Sequence, residues 1–193
     1  LLGGLLKGSL GVGMPLVAVP LLALVLPIPA AVALLPIPIV VANVWQALRG
    51  GYLRTSVRRF WPLLLTMTLG TAIGAKALAS LEPGWLYGIV GVAVIGFSLV
   101  AYFRPTFRLT SGAERFWAPI AGLAAGLLGG ISTMFGPVLI TFLTAVRLPK
   151  DQFVACIGAL YLIAAVPLTV SLIVFGVMDA ERLMWSSMAV VPV

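Results

Sequence analysis

The sequence predicts an all-α fold: a polytopic transmembrane helical bundle of two related halves. Three observations carry that prediction. Of the 193 residues, 62% are hydrophobic and 9% charged, with a mean hydropathy of +1.19, where a soluble domain has roughly 45–50% apolar and about 25% charged residues. The solvent around the chain is therefore lipid. The apolar runs are long and lack the period-2 alternation of barrel strands, so the spans satisfy their backbone hydrogen bonds as helices. Finally, the chain repeats itself at an offset of 122 positions: Gly4-Leu5-Leu6-Lys7-Gly8 returns as Gly126-Leu127-Leu128-Gly129-Gly130, Pro15 as Pro137, Leu21 as Leu143, Pro27 as Pro149 and Ala33 as Ala155.

The elements follow in order. Residues 1–24 are apolar but interrupted by Gly3, Gly4, Gly8, Gly11, Gly13, Pro15 and Pro20. Proline costs a helix interior about 3 kcal/mol and glycine about 1. In lipid such a break persists only where the freed backbone groups find protein or water partners. After a short turn at 26–29 comes a span over 30–48, expected to kink at Pro36 and Pro38. Near its end Asn43 and Gln46, three residues apart, share a face. Arg49, Arg54, Arg58 and Arg59 crowd the next loop. A span over 61–79 carries Gly70 and Gly74 at the small-xxx-small spacing of helix packing. The loop 80–84 has no Lys or Arg, and the span over 85–103 offers Gly88, Gly91 and Gly96 as expected packing notches. This completes a first transmembrane repeat, 1–103.

A basic linker, 104–116, carries Arg104, Arg108 and Arg115 and is expected on the cytoplasmic side. The second repeat, 117–193, is expected to be incomplete at its C-terminus. It opens with 117–146, which as one straight helix would measure about 45 Å against a hydrocarbon core of ~30 Å. The run Gly126-Leu127-Leu128-Gly129-Gly130-Ile131-Ser132-Thr133-Met134-Phe135-Gly136-Pro137 breaks it. A span over 153–175, an acidic loop 176–182 and a seventh span beginning at Leu183 complete the reading. Phe60, Trp61, Trp85, Tyr87, Tyr102, Phe103, Phe116 and Trp117 sit at span ends, as an interfacial aromatic belt would.

Loop charges address orientation. Lys and Arg collect in 49–59, 104–115 and 147–150, and are sparse in 25–29, 80–84 and 176–182. Lys and Arg mark the cytoplasmic side of short loops. If every apolar segment crosses once, loop 147–150 breaks the rule; if 117–146 enters and returns, all six loops obey it. Each repeat then has a re-entrant hairpin and three crossings, and an odd number of crossings makes the halves inverted, a common transporter plan. The rival is a tilted, kinked single crossing with parallel halves.

A half-helix that begins inside the membrane presents free N–H groups and the positive end of its dipole, which suits an anion. Pro15 and Pro137 fit the first turn of such half-helices. Gly11 and Gly13 precede one; Ser132, Thr133 and Gly136 precede the other. Glycine admits close approach of a ligand, and the two hydroxyls are expected to add donors. The same glycines also suit tight helix packing. Lys7 either pairs with a bound anion or snorkels to the interface, whereas Lys76 snorkels. Asn43, Gln46 and Tyr161 either face the site or bond between helices. The candidate substrate-binding set is therefore Lys7, Gly11, Gly13, Pro15, Asn43, Gln46, Ser132, Thr133, Gly136, Pro137 and Tyr161.

The absences exclude whole classes. There is no histidine and one cysteine, Cys156, so an intrachain disulfide is impossible and a His or Cys metal site is disfavoured; Cys156 reads as a small packing residue. All five carboxylates, Glu82, Glu114, Asp151, Asp179 and Glu181, fall in loops, which leaves no buried acid for a proton relay. Without His or a buried acid no nucleophile–base pair can be assembled, so the chain does not read as an enzyme and no cofactor is implied. The net charge of +7 orients the protein in its bilayer rather than binding nucleic acid. The expected partners are a small anion and lipid.

At these motifs the chain resembles the TauE/SafE family of bacterial membrane permeases, the sulfite exporter group. The first half carries the glycine run Gly8, Gly11, Gly13 followed by Pro15-Leu16 and Pro20-Leu21-Leu22; the second carries Gly136-Pro137, Leu148-Pro149-Lys150-Asp151 and Tyr161. Lys7 and Met14 depart from the family's small residues at those positions. The resemblance implies a multi-pass protein of the bacterial inner membrane, usually of seven or eight spans. It implies transport of small, often sulfur-containing anions such as sulfite, sulfonates or sulfoacetate, by alternating access at the two broken segments. A non-transporting assembly scaffold and a passive anion channel are the competing functions.

Overall fold

The computed structural model describes residues 14–48, 51–103 and 108–190. Among them ten α-helices follow one another: α1 (Met14–Leu22), α2 (Ile28–Ala33), α3 (Pro36–Leu48), α4 (Leu53–Arg59), α5 (Trp61–Ser80), α6 (Pro83–Phe103), α7 (Ser111–Ser132), α8 (Gly136–Val146), α9 (Lys150–Val174) and α10 (Ala180–Met188). Three stretches are long and apolar enough to cross a membrane: Ile28–Leu48, which joins α2 to α3, Trp61–Ser80 and Lys150–Val174. Pro83–Gly96 and Gly136–Val146 are shorter apolar helices.

The expected kink falls at Leu34–Leu35, between α2 and α3. Pro38 has no N–H to give the Leu34 carbonyl, and the ring of Pro36 obstructs the preceding turn. Ser186 of α10 supplies the missing partner: its hydroxyl donates to the Leu34 oxygen at 3.0 Å and accepts from the Ile37 amide at 3.3 Å. Ser186 is fully buried. Leu183, where a seventh span is expected to begin, lies inside α10, a short helix N-capped by the Asp179 carboxylate, which accepts from the Arg182 amide at 2.8 Å, and α10 docks on the kink.

Helix directions follow from which residues meet. Arg59, at the end of α4, makes two 2.7 Å bonds to the Glu114 carboxylate in the first turn of α7, so α5 and α7 start at the same end. They run parallel, since Gly122 faces Leu63 and Thr66, Gly126 faces Met67 and Thr71, and Gly130 faces Thr71 and Ala75. At each of these glycines, and at Gly70 and Gly74 opposite, an added Cβ would overlap the partner helix, mostly its backbone. Gly70 and Gly74 are thus the packing notches their spacing predicts, and the run Gly126–Gly130 turns out to serve the same purpose. Among the described residues the notches expected on α6 have no partner: a Cβ on Gly88, Gly91 or Gly96 would meet none of them within 4 Å.

α9 runs antiparallel to α3. Its start shares a small cavity with Ser56 and Arg59 of α4, just beyond the end of α3, while Asp179 and Arg182 after its end lie with Leu26, Ala30 and Leu34. The chain 111–146 is a hairpin. It enters as α7, breaks at 133–135 and returns as α8, where the Ala145 carbonyl accepts from the Leu109 amide at 3.0 Å. Consequently Arg54, Arg58, Arg59, Arg108, Arg115, Arg147 and Lys150 gather at one end of the bundle. Glu82, Asp179 and Glu181, with Arg182, lie at the other.

Two further expectations are revised here. Residues 53–59 form helix α4 rather than a loop. Phe60 is no belt residue: it is buried, T-stacked on Phe142 of α8 at 6.0 Å and capped by Arg59. Trp61, Trp85, Tyr87, Tyr102, Phe103, Phe116 and Trp117 are exposed as a belt requires.

Candidate functional site

The break in the hairpin is built by three consecutive local choices. Thr133 adopts the left-handed conformation (φ 59°, ψ 5°), and its amide still bonds the Gly129 carbonyl at 2.7 Å, ending α7. A left-handed residue is the usual helix terminator, but glycine normally fills it; a β-branched residue there is strained by about 1–3 kcal/mol. The Phe135 amide next bonds the Thr133 carbonyl at 3.1 Å, and Gly136-Pro137 opens α8. Pro137 has no N–H to leave unsatisfied in a first turn.

Ser132, Thr133, Met134, Phe135, Gly136 and Pro137 are all buried. The two hydroxyls do not act as expected. Ser132 Oγ donates to the Leu128 carbonyl at 2.7 Å and Thr133 Oγ1 donates to the Ser132 carbonyl at 2.6 Å. Their hydrogens are spent on α7's own end, so they are lost as donors to a bound anion. The first-turn amide of α8, the Gly136 N–H, is engaged too, but by a side chain from another helix: it hydrogen-bonds the Tyr161 hydroxyl.

Tyr161 comes from the middle of α9. Its ring meets Phe135 edge-on at 5.7 Å, and its hydroxyl lies so near Gly136 that a Cβ there would sit 2.6 Å from it. Phe135 in turn folds its ring over Gly129, where any side chain would overlap it. Phe135 and Gly129 escaped the sequence reading as site residues. The aromatic two positions after a left-handed break, six positions past a glycine, was the available signal.

Asn43 and Gln46 approach from α3. Asn43 is buried, and its Nδ2 donates to the Ile39 carbonyl at 2.7 Å. Gln46 packs on α9, where a Cβ added to Gly158 would lie 2.7 Å from Gln46 Cβ. Because α3 and α9 are antiparallel, one turn toward the far end passes from Gln46 to Asn43 and from Gly158 to Tyr161. The fold thus draws Asn43, Gln46 and Tyr161 onto facing surfaces of α3 and α9, and of the three it is Tyr161 that reaches the α7–α8 break.

In the other copy, Pro15 is buried at the second position of α1, which begins 122 residues before α8. Lys7, Gly11 and Gly13 lie outside the described residues. Cys156 is buried against Ser56 and free of any disulfide, the packing residue expected. Among the described residues, no three His, Cys, Asp or Glu are grouped as a metal site would require.

An all-helical, multi-span membrane protein with a hairpin broken inside its bundle is the class this geometry defines. The chain belongs to the family described as Sulfite exporter TauE/SafE, whose model matches residues 1–193, the whole chain. That family is one of membrane transporters, of the sulfite exporter and anion permease type, rather than of enzymes. No curated protein matches the chain. No solved structure matches it either.

Proposed function

We propose that this chain is an alternating-access permease for small, sulfur-containing anions of the sulfite, sulfonate or sulfoacetate class. The observation that carries the proposal is the buried break at Thr133–Phe135, which aims the first turn of α8 and its Gly136 amide into the protein interior. A helix N-terminus stabilises negative charge through its dipole and its free N–H groups. Gly136, Pro137 and Tyr161 form the anion-facing wall. Ser132 and Thr133 shape the break, and Asn43 and Gln46 complete the wall from α3. The Gly11–Pro15 segment with Lys7 supplies the opposing wall, Lys7 selecting for negative charge.

Inverted halves underlie the mechanism. In support, α4 packs against the start of α9 while α10 packs against α2 and α3. Each short helix buries one serine at that contact, Ser56 or Ser186. Each follows a turn holding a positive-φ glycine, Gly51 or Gly176, both at φ 71°. Two such halves, opposed about the site, can open it to either side in turn. The basic end is then cytoplasmic and the membrane a bacterial inner membrane.

Flux of sulfite, sulfonates and sulfoacetate in proteoliposomes of the full-length protein tests the proposal. Saturable transport of at least one is expected. Ohmic current without saturation would mean a channel, and no flux of any of them would leave the scaffold function.

A further inference from the structure

A cavity of about 640 Å³ separates α6 from the α7–α8 hairpin. It runs from the basic end, at Leu109 and Trp117, to the break, at Leu128 and Pro137. Its volume lies in the ~300–1,000 Å³ range of small-molecule sites, but its wall is hydrocarbon. Thr141 brings a hydroxyl, and that hydroxyl is spent on the Pro137 carbonyl at 2.8 Å. An anion would lose its hydration there and gain no donor, so the transported ion does not belong in this space; an alkyl chain does.

The basic end of the cavity adds charge. The Leu109 amide and the Ala145 carbonyl are hydrogen-bonded at 3.0 Å, which places Arg108 and Arg147 beside the same lip. Both are exposed, and among the described residues neither is in an ion pair; the pairs there are Arg59–Glu114 and Arg182–Asp179. Trp117, half exposed, also stands at this end. Basic pockets between membrane helices on the cytoplasmic side are sites for anionic lipid headgroups.

We infer that this cavity is a binding site for an acidic phospholipid. One acyl chain lies between α6 and the hairpin, and the phosphate headgroup is held by Arg108 and Arg147. The inference rests on the cavity and its charges and does not depend on which solute is transported.

The test uses full-length protein in vesicles of phosphatidylcholine doped with a lipid whose acyl chain carries a photoactivatable group, as phosphatidylglycerol or as phosphatidylcholine. Peptides covering Ala121–Leu128 and Val138–Thr141 are expected to be labelled by phosphatidylglycerol. A basic residue near an acidic headgroup is worth about fivefold in affinity. Phosphatidylcholine should therefore label those peptides several-fold less, and the double variant Arg108→Gln, Arg147→Gln should bring phosphatidylglycerol down to that level. The comparison of the two lipids on the unaltered protein stands even if the variant inserts poorly. Equal labelling by both lipids overturns the inference. So does absence of label inside the cavity, which would place another occupant there, such as residues 1–13 or a second copy of the chain.

Discussion

Arm α7 lies backbone to backbone on α5, with Gly122, Gly126 and Gly130 pressed against Leu63, Met67, Thr71 and Ala75. Arm α8 meets its neighbours through side chains: Leu139 and Leu143 are buried on one side, while Val138, Thr141 and Phe142 border the apolar cavity. Both arms come from one glycine-rich run. In α7 its glycines let two backbones close, which joins α5 and α7 into a single unit. At the break its glycines make room for rings, Gly129 for Phe135 and Gly136 for Tyr161. A half-helix that must hold its place and a half-helix whose first turn is proposed to meet a ligand call for different packing, and the hairpin provides one of each.

The difference can be broken in order of expected effect. Gly126→Val should be the most damaging, because the added carbons meet the Met67 carbonyl and the Thr71 amide, backbone atoms that cannot rotate away. A loss at or above the ~3 kcal/mol upper range of overpacking is expected, read as a large drop in melting temperature in detergent. Gly88→Val, where a Cβ on α6 would meet no described residue within 4 Å, is the matched control and should leave melting unchanged. Equal tolerance of the two would dissolve the contrast between the arms.

Gly136→Ala should separate stability from transport. The clash is with the tip of Tyr161, a side chain that can move, so the fold should lose no more than ~1 kcal/mol. Anion affinity should fall by at least ~10-fold, because the new methyl and the displaced Tyr161 hydroxyl bar an anion from the Gly136 N–H and its charge-assisted bond. Adding Tyr161→Phe removes the clashing oxygen and should recover part of the loss. If Gly136→Ala instead unfolds the protein and spares affinity, Gly136 is a packing glycine like those of α7.

Thr133→Gly should sharpen the comparison in the other direction. Relief of the left-handed strain is expected to raise stability by about 1 kcal/mol, seen as a higher melting temperature. A lower one would show that the buried Thr133 side chain contributes more than its backbone costs.

Arg59→Gln should have the smallest effect. The bond to Glu114 holds the Arg59 guanidinium above its ordinary pKa, but Arg59 is 43% exposed. Solvent screening limits the pair to roughly 0–1 kcal/mol, and the difference from wild type should shrink as salt is added. A larger, salt-independent loss would assign the joint between the starts of α5 and α7 to Phe60 packing rather than charge.

Much of this protein was legible in its sequence because the signals are local. Composition names the solvent, and Pro36 and Pro137 suit the first turns of helices, where the amide hydrogen they lack has no partner to lose. The positive loops sorted themselves to one end once the hairpin was allowed to return. What stayed hidden depends on the atoms opposite a residue. Gly88, Gly91 and Gly96 look as much like packing glycines as Gly122, Gly126 and Gly130, yet only the latter face another backbone. Ser186 gives no sign that it satisfies the Leu34 carbonyl 152 residues away, and Phe60 gives none that it is core rather than belt. Ser132 and Thr133 read as ligand donors until their hydroxyls are seen bonded to α7's own carbonyls. The sequence by itself determined that the chain is a helical membrane protein whose 117–146 segment is broken, because Gly, Pro and charge act through the backbone and the solvent. Which glycines pack, where the break points and which side chain meets the Gly136 amide were decided only by the tertiary structure, because each depends on a partner brought close from elsewhere in the chain.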